Sequence, residues 1–198
     1  MMMENSNQQI NGNTFVELLK ACAKKKDICR GTQIHANILK RGLLEKSPYL
    51  ANNLIRMYVK CGSIPKAKEV LEELPIRDIL CFNALIAGYA QQGQGCEALK
   101  CFEQMQSEGF APDRVTLLSV LSGCSNSGLL DEAQTLFGNM TREYGLSPSL
   151  DHHTCMVVIL GSIGNFEKAM EVIKVMPSSD YLDIWLALLG ACQKWGNV

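Results

Sequence analysis

No apolar run in this 198-residue sequence approaches the ~20 residues that a membrane helix needs, so no membrane partner is expected. Met1 to Asn13 carries Glu4 and has neither an apolar core segment nor arginines, unlike a secretory signal or a transit peptide. No CxxC occurs among the nine cysteines, whose closest pair is Cys96 and Cys101. Most fall within apolar helical patterns, which points to a compartment that keeps thiols reduced rather than to a disulfide framework. There is no basic excess either: the formal net charge is −1, which argues mildly against binding driven by phosphate neutralisation. GxSxG, Walker and dinucleotide-binding glycine signatures are all missing, so the chain is not expected to be an enzyme or to carry a cofactor.

What is present is repetition. With 47% hydrophobic and 20% charged residues there is enough apolar material for a core. Gly62, Gly93, Gly128 and Gly164 are separated by 31, 35 and 36 residues. Ala67, Ala98, Ala133 and Ala169 keep the same three spacings, as do Leu74, Met105, Met140 and Met176. Three landmarks holding one uneven spacing mark a repeat architecture. Thirty-six residues before Ala67 and Leu74 stand Gly31 and Ile38, so a divergent first copy starts near Gly12.

Each copy reads as two helices. In the third, Phe82, Leu85, Ile86 and Tyr89 form a helical apolar stripe that Gln92-Gly93-Gln94-Gly95 interrupts. Ala98, Leu99, Phe102 and Met105 form the next stripe, and Gly109 and Pro112 close the unit. The small alanine allows close helix approach, and stacked copies bury what one copy cannot. The predicted fold is an all-α solenoid of about five helix–turn–helix repeats.

The array resembles the pentatricopeptide repeat family of plant organelles, and within it the subclass that alternates repeats of different length. Residues 12–47, with Thr14-Phe15 and Leu19-Lys20-Ala21-Cys22, resemble a long repeat. Residues 48–78, with Met57-Tyr58, Lys60-Cys61-Gly62-Ser63 and Arg77-Asp78, resemble a short one. Residues 79–113, with Phe82-Asn83, Gly88-Tyr89 and Pro112-Asp113, resemble the standard form. Residues 114–149 resemble a second long repeat through Val115-Thr116, Ser119-Val120-Leu121-Ser122 and Tyr144-Gly145. Residues 150–181 resemble a terminal short one through His152, Cys155-Met156 and Met176-Pro177. Residues 1–11 are expected to be a disordered N-terminal segment. Residues 182–198, with Trp185, Leu188-Leu189-Gly190-Ala191-Cys192 and Gly196-Asn197-Val198, look like the truncated start of an extension domain.

The resemblance implies recognition of single-stranded RNA at one base per repeat. The selecting pair in the family is a polar residue early in the first helix and the residue that closes the repeat. Here these are Asn52 with Asp78 and Asn83 with Asp113, a combination the family associates with uridine, tolerating cytidine. Replacing such an Asn by Thr is associated with guanosine. An amide donates to and accepts from a base edge, while Tyr49 and Leu80 occupy the neighbouring stacking positions. Val16 with Ser47 and Leu118 with Ser149 imply weak selection, because an aliphatic side chain cannot read hydrogen bonds. The last repeat offers Thr154 as reader, with Tyr181 where an acidic or amide residue is expected. The resemblance further implies organelle RNA processing such as C-to-U editing, in a mitochondrion or chloroplast. A deaminase or other editing-complex protein would then act in trans. Zinc deaminase chemistry needs HxE followed by CxxC, and none of His35, His152 or His153 is followed two positions on by Glu.

Blander readings stay open beside these. Asn and Asp favour caps and turns, so the reader pairs also fit helix ends. Lys24-Lys25-Lys26, with Lys20 and Arg30, fits either a phosphate clamp or a solvated turn. His152 and His153 have no further ligand at metal-site spacing, which favours a structural role. Trp185 and Trp195 read as packing residues, with RNA stacking the minor alternative. A protein-interaction solenoid without RNA selectivity is the rival function, and a truncated product without independent function is a third.

Overall fold

The computed structural model describes residues 12–176 and 182–195. The N-terminal segment 1–11 and Tyr181 therefore lie outside the described residues, as do the side chains of Cys192 and Trp195. Among the described residues there are eleven α-helices, one short 3-10 turn at Leu44–Lys46 and no strand. The helices are α1 Gly12–Lys25, α2 Ile28–Lys40, α3 Pro48–Lys60, α4 Ile64–Glu73, α5 Ile79–Gln91 and α6 Gly95–Ser107. They continue as α7 Arg114–Ser127, α8 Leu130–Arg142, α9 Leu150–Ser162, α10 Phe166–Lys174 and α11 Leu182–Trp195. The fold is the all-α solenoid class expected from the repeat.

The repeating landmarks have repeating jobs. Gly62, Gly93, Gly128 and Gly164 all take positive φ, between 67° and 77°, at the end of a first helix. The amide one residue later bonds back across the turn in every case: Ser63 to the Tyr58 carbonyl, Gln94 to Tyr89, Leu129 to Cys124 and Asn165 to Leu160, each at 2.9 Å. This is the Schellman closure, which turns the chain into the next helix while satisfying orphan carbonyls. In the divergent first copy Lys26 takes the same place, with φ 54° and the Asp27 amide bonded to the Cys22 carbonyl at 3.0 Å. A non-glycine residue in that region is strained.

Ala67, Ala98, Ala133 and Ala169 are buried, as are Leu74, Met105, Met140 and Met176. Gly31 replaces the alanine in the first copy for a packing reason. A Cβ there would lie 2.4 Å from Sδ of Met57, which fills that space instead.

The chain divides into two compact units, Met1–Leu85 and Ile86–Val198. In the first, α1 packs on α2 and on α3, and α3 packs on α4. Its core is built from Leu19, Ile38, Leu50, Leu54, Ile55, Tyr58 and Leu71. In the second, α6 packs on α7, α7 on α8 and α9, and α9 on α10 and α11. Its core includes Ile86, Met105, Leu117, Val120, Met140, Val157 and Ile159. Each deeply buried aliphatic side chain contributes about 1.5–3 kcal/mol of transfer free energy, so it is stacking that stabilises helices of 9 to 14 residues, which are marginal alone.

Two expectations about packing need correction. Among the described cysteines Cys22, Cys81, Cys101 and Cys124 are buried, but Cys29 and Cys96 are exposed. Trp185 is also partly exposed, because α11 buries a different stripe, Ile184, Leu188 and Ala191.

Candidate nucleic-acid interface

The residues that close four successive repeats play one structural part, since each caps the next first helix. Ser47 Oγ accepts the Leu50 amide of α3 at 3.3 Å, and an Asp78 carboxylate oxygen accepts the Cys81 amide of α5 at 2.9 Å. Asp113 accepts the Thr116 amide at 2.8 Å, while the Thr116 hydroxyl oxygen receives the Asp113 amide at 3.1 Å. Ser149 and His152 form the same reciprocal box on α9. Such caps satisfy the free N–H groups of a helix start. The helix-end reading therefore describes Asp78 and Asp113 correctly.

It does not describe the amides. Asn52 and Asn83 sit in the second turn of α3 and α5, and each is only 7% exposed. The Oδ1 atom of Asn52 is buried without a hydrogen-bond partner, although buried polar atoms are almost always paired. Its neighbour Asn53 satisfies itself differently, donating from Nδ2 to the Tyr49 carbonyl at 2.8 Å.

One turn nearer the helix start, large apolar groups face solvent. Tyr49 is 54% exposed and Leu80 48%, and Val115 of α7 is 59% exposed at the equivalent register. Sequence reasoning missed Val115 as a stacking residue, although it follows Tyr49 and Leu80 at the same spacings of 31 and 35. Thr154 turns its hydroxyl back to the Leu150 carbonyl at 2.9 Å, so its donor is committed within its own helix.

Charge is distributed unevenly over the first helices. On α3, Tyr49, Asn52, Arg56 and Lys60 follow one another at helical spacing, and Arg56 and Lys60 are exposed. On α1, Lys20 and Lys24 occupy the same register and are exposed. Lys20 bonds Glu17 at 2.8 Å, and that hydrogen bond leads the causes that raise its pKa above the ordinary value. Lys24, Lys25 and Lys26 end α1 and form its exposed turn. In the second unit the corresponding positions of α7, Ser122 and Asn126, are uncharged. Asn126 donates to the Ala90 carbonyl at 3.0 Å and is structural.

The histidine pair is structural as well. His152 Nδ1 meets Ser149 Oγ at 2.6 Å, and its Nε2 lies 3.2 Å from the Arg114 carbonyl. Burial lowers its pKa, which fits a neutral ring donating from Nε2 and accepting at Nδ1. His153 packs edge-on against Phe137 and bonds the Ser149 carbonyl at 2.8 Å.

A family model described as the PPR repeat family matches residues 77–126. A second, the PPR repeat, matches residues 49–79, 115–144 and 152–181. Together they take in well over half of the chain. It belongs to the pentatricopeptide repeat family. Two Arabidopsis thaliana relatives show how it compares with pentatricopeptide repeat proteins of that plant. The mitochondrial pentatricopeptide repeat-containing protein At1g56690 is 39% identical over 91% of this chain and 25% of its own length. The chloroplastic pentatricopeptide repeat-containing protein CRR2 is 36% identical over the whole chain and 30% of its own length. Among solved structures, the pentatricopeptide repeat protein PPR10 from maize matches 96% of this chain with a TM-score of 0.70 and 25% identity. Its structure in complex with an 18-nt psaJ RNA element matches 93% with a TM-score of 0.73 and 23% identity. The chain spans between about a quarter and a third of the length of these relatives.

Proposed function

We propose that this pentatricopeptide repeat array binds single-stranded RNA through the first turns of α3 and α5. The observation that carries the reading is the unpartnered, buried Oδ1 of Asn52, one turn below the exposed ring of Tyr49. A base stacked on Tyr49 brings a donor edge toward an acceptor that has none. Asn83 and Leu80 repeat that arrangement of amide and apolar residue. Arg56, Lys60, Lys20 and Lys24 supply local positive charge that the net charge of −1 conceals. The RNA complex of PPR10 supports the reading by similarity of fold.

Within that reading Asn52 with Asp78 and Asn83 with Asp113 select uridine, tolerating cytidine, and Thr154 contributes only weakly. The biological setting that fits the family is processing of an organelle transcript in a mitochondrion or chloroplast. Assignment to the alternating-length subclass adds C-to-U editing with a deaminase in trans. A protein-interaction solenoid is the competing account, favoured by Val16, which is buried, and Leu118 at two reader positions.

Fluorescence titration of the chain with pools of short single-stranded RNAs tests the proposal. Stacking is worth about 1–3 kcal/mol per base, so weak binding with a preference for adjacent pyrimidines is expected. The preference should vanish in Asn83→Ala. Equal affinity for all sequences, or none, sinks it.

A further inference from the structure

Away from these residues, the first unit holds a cleft of about 310 Å³ between α2 and α4, reaching Tyr58 of α3. His35 and Tyr58 form part of its lining, joined between Nδ1 and the hydroxyl at 2.9 Å, with the rings edge to face at 5.6 Å. Glu69 and Glu73 stand one turn apart along it, both exposed. Leu39, Ala36 and Val70 add apolar surface.

Several features point to one ligand chemistry. Neither Glu69 nor Glu73 forms an ion pair among the described residues. Their charges nevertheless reach the lining aromatic pair. Burial pushes the Tyr58 hydroxyl up to about 12, and Glu69 adds to the rise. Burial lowers His35, and Glu73 opposes that shift. The Tyr58 ring already has a cation near it, Lys66 Nζ at 6.0 Å from the centroid. Finally, Nε2 of His35 is buried without a partner, leaving one polar position in the lining pair unfilled.

We propose that this cleft receives an arginine side chain from a partner polypeptide. Glu69 and Glu73 accept the guanidinium N–H groups, while the Tyr58 ring and the walls of Leu39 and Val70 take its face and its methylene stem. A guanidinium suits these demands together, because it is planar, weakly hydrated, carries five donors and stacks on aromatic rings. A lysine ammonium is a compact point charge that addresses two carboxylates and a ring face less well. Lys66 acts as an internal competitor for the same carboxylates and ring. The proposal does not rest on the RNA reading, since the cleft carboxylates belong to α4 and the proposed RNA readers to the first turns of α3 and α5.

The test is an NMR titration of the full chain with acetyl-Gly-Arg-Gly-amide, run beside the citrulline and lysine counterparts. Saturable shifts at Thr32, Leu39, Glu69 and Val70 are expected with the arginine peptide alone. Loss of two charge-assisted contacts in Glu69→Gln/Glu73→Gln should weaken binding by about tenfold or more. Lys66→Met should tighten it, a gain that misfolding cannot produce. Equal binding of the citrulline peptide, or indifference to both sets of substitutions, overturns the proposal. Equal binding of the lysine peptide overturns the guanidinium assignment.

Discussion

Ser127 ties the start of α6 to the end of α7: its Oγ accepts the Gly95 amide at 2.8 Å and donates to the Gly93 carbonyl at 2.8 Å. One hydroxyl thus holds the inter-helix turn of the third repeat against the first helix of the fourth. The contact is close because position 95 has no Cβ. An added one would stand 2.7 Å from the Gly123 carbonyl oxygen and 2.6 Å from Ser127 Oγ.

Gly95→Ala should therefore destabilise the chain. The clash is with backbone, which cannot rotate away, and overpacking of this kind costs about 1–3 kcal/mol. Urea unfolding would read the loss as a lower midpoint. An unchanged midpoint means that α6 and α7 separate without cost.

Lys26→Gly should act in the opposite direction. Lys26 holds φ at 54° in a turn where the later repeats use glycine. Relief of the left-handed strain is worth about 1–2 kcal/mol, reduced by the larger unfolded-state entropy of glycine. A rise in Tm of a few degrees is expected, with the RNA preference unaltered.

Asp113 separates stability from recognition. Asp113→Ala removes the cap on α7 and should cost about 0.5–2 kcal/mol. Asp113→Asn keeps a good capping oxygen, so stability should be retained while base preference at that repeat changes. Paired melting curves and RNA titrations distinguish the two roles. Identical effects of both variants on stability would show that the cap contributes nothing.

Stability should also fall on mild acidification. His35 and His152 have pKa values lowered below 6.5, chiefly by burial. Above about pH 6.5 both folded and unfolded chains hold these rings neutral, and no proton is taken up on unfolding. Below it the unfolded chain binds protons first, so stability is lost as pH falls toward the folded pKa values. His152→Gln, which preserves a back-bonding side chain at that capping position, should flatten part of the slope between pH 7 and pH 5.5. An unchanged slope would place the proton uptake elsewhere.

The sequence made the solenoid legible because its landmarks are backbone and packing constraints. A positive-φ glycine, a closely packed alanine and a buried aliphatic or Met recur wherever two helices must turn and pack. Family membership was legible for the same reason. The first copy was harder, since Lys26 and Gly31 replace two of those landmarks and only Ile38 remains in place. At the candidate interface, the capping of Asp78 and Asp113 was foreseeable from residue type. The depth of Asn52 and Asn83 was not, because burial in the second helical turn depends on neighbouring helices rather than on local spacing. Nor did the sequence reveal the cleft beside Tyr58, which joins residues of three helices.

The central claim is that the amides of α3 and α5 read bases, and Asn83→Thr tests it most directly. Affinities of the parent chain and the variant would be measured against RNAs differing only at the nucleotide facing that repeat. The account predicts a shift of preference from uridine toward guanosine, with stability and total affinity for the favoured base preserved. Retention of uridine by the variant would contradict it.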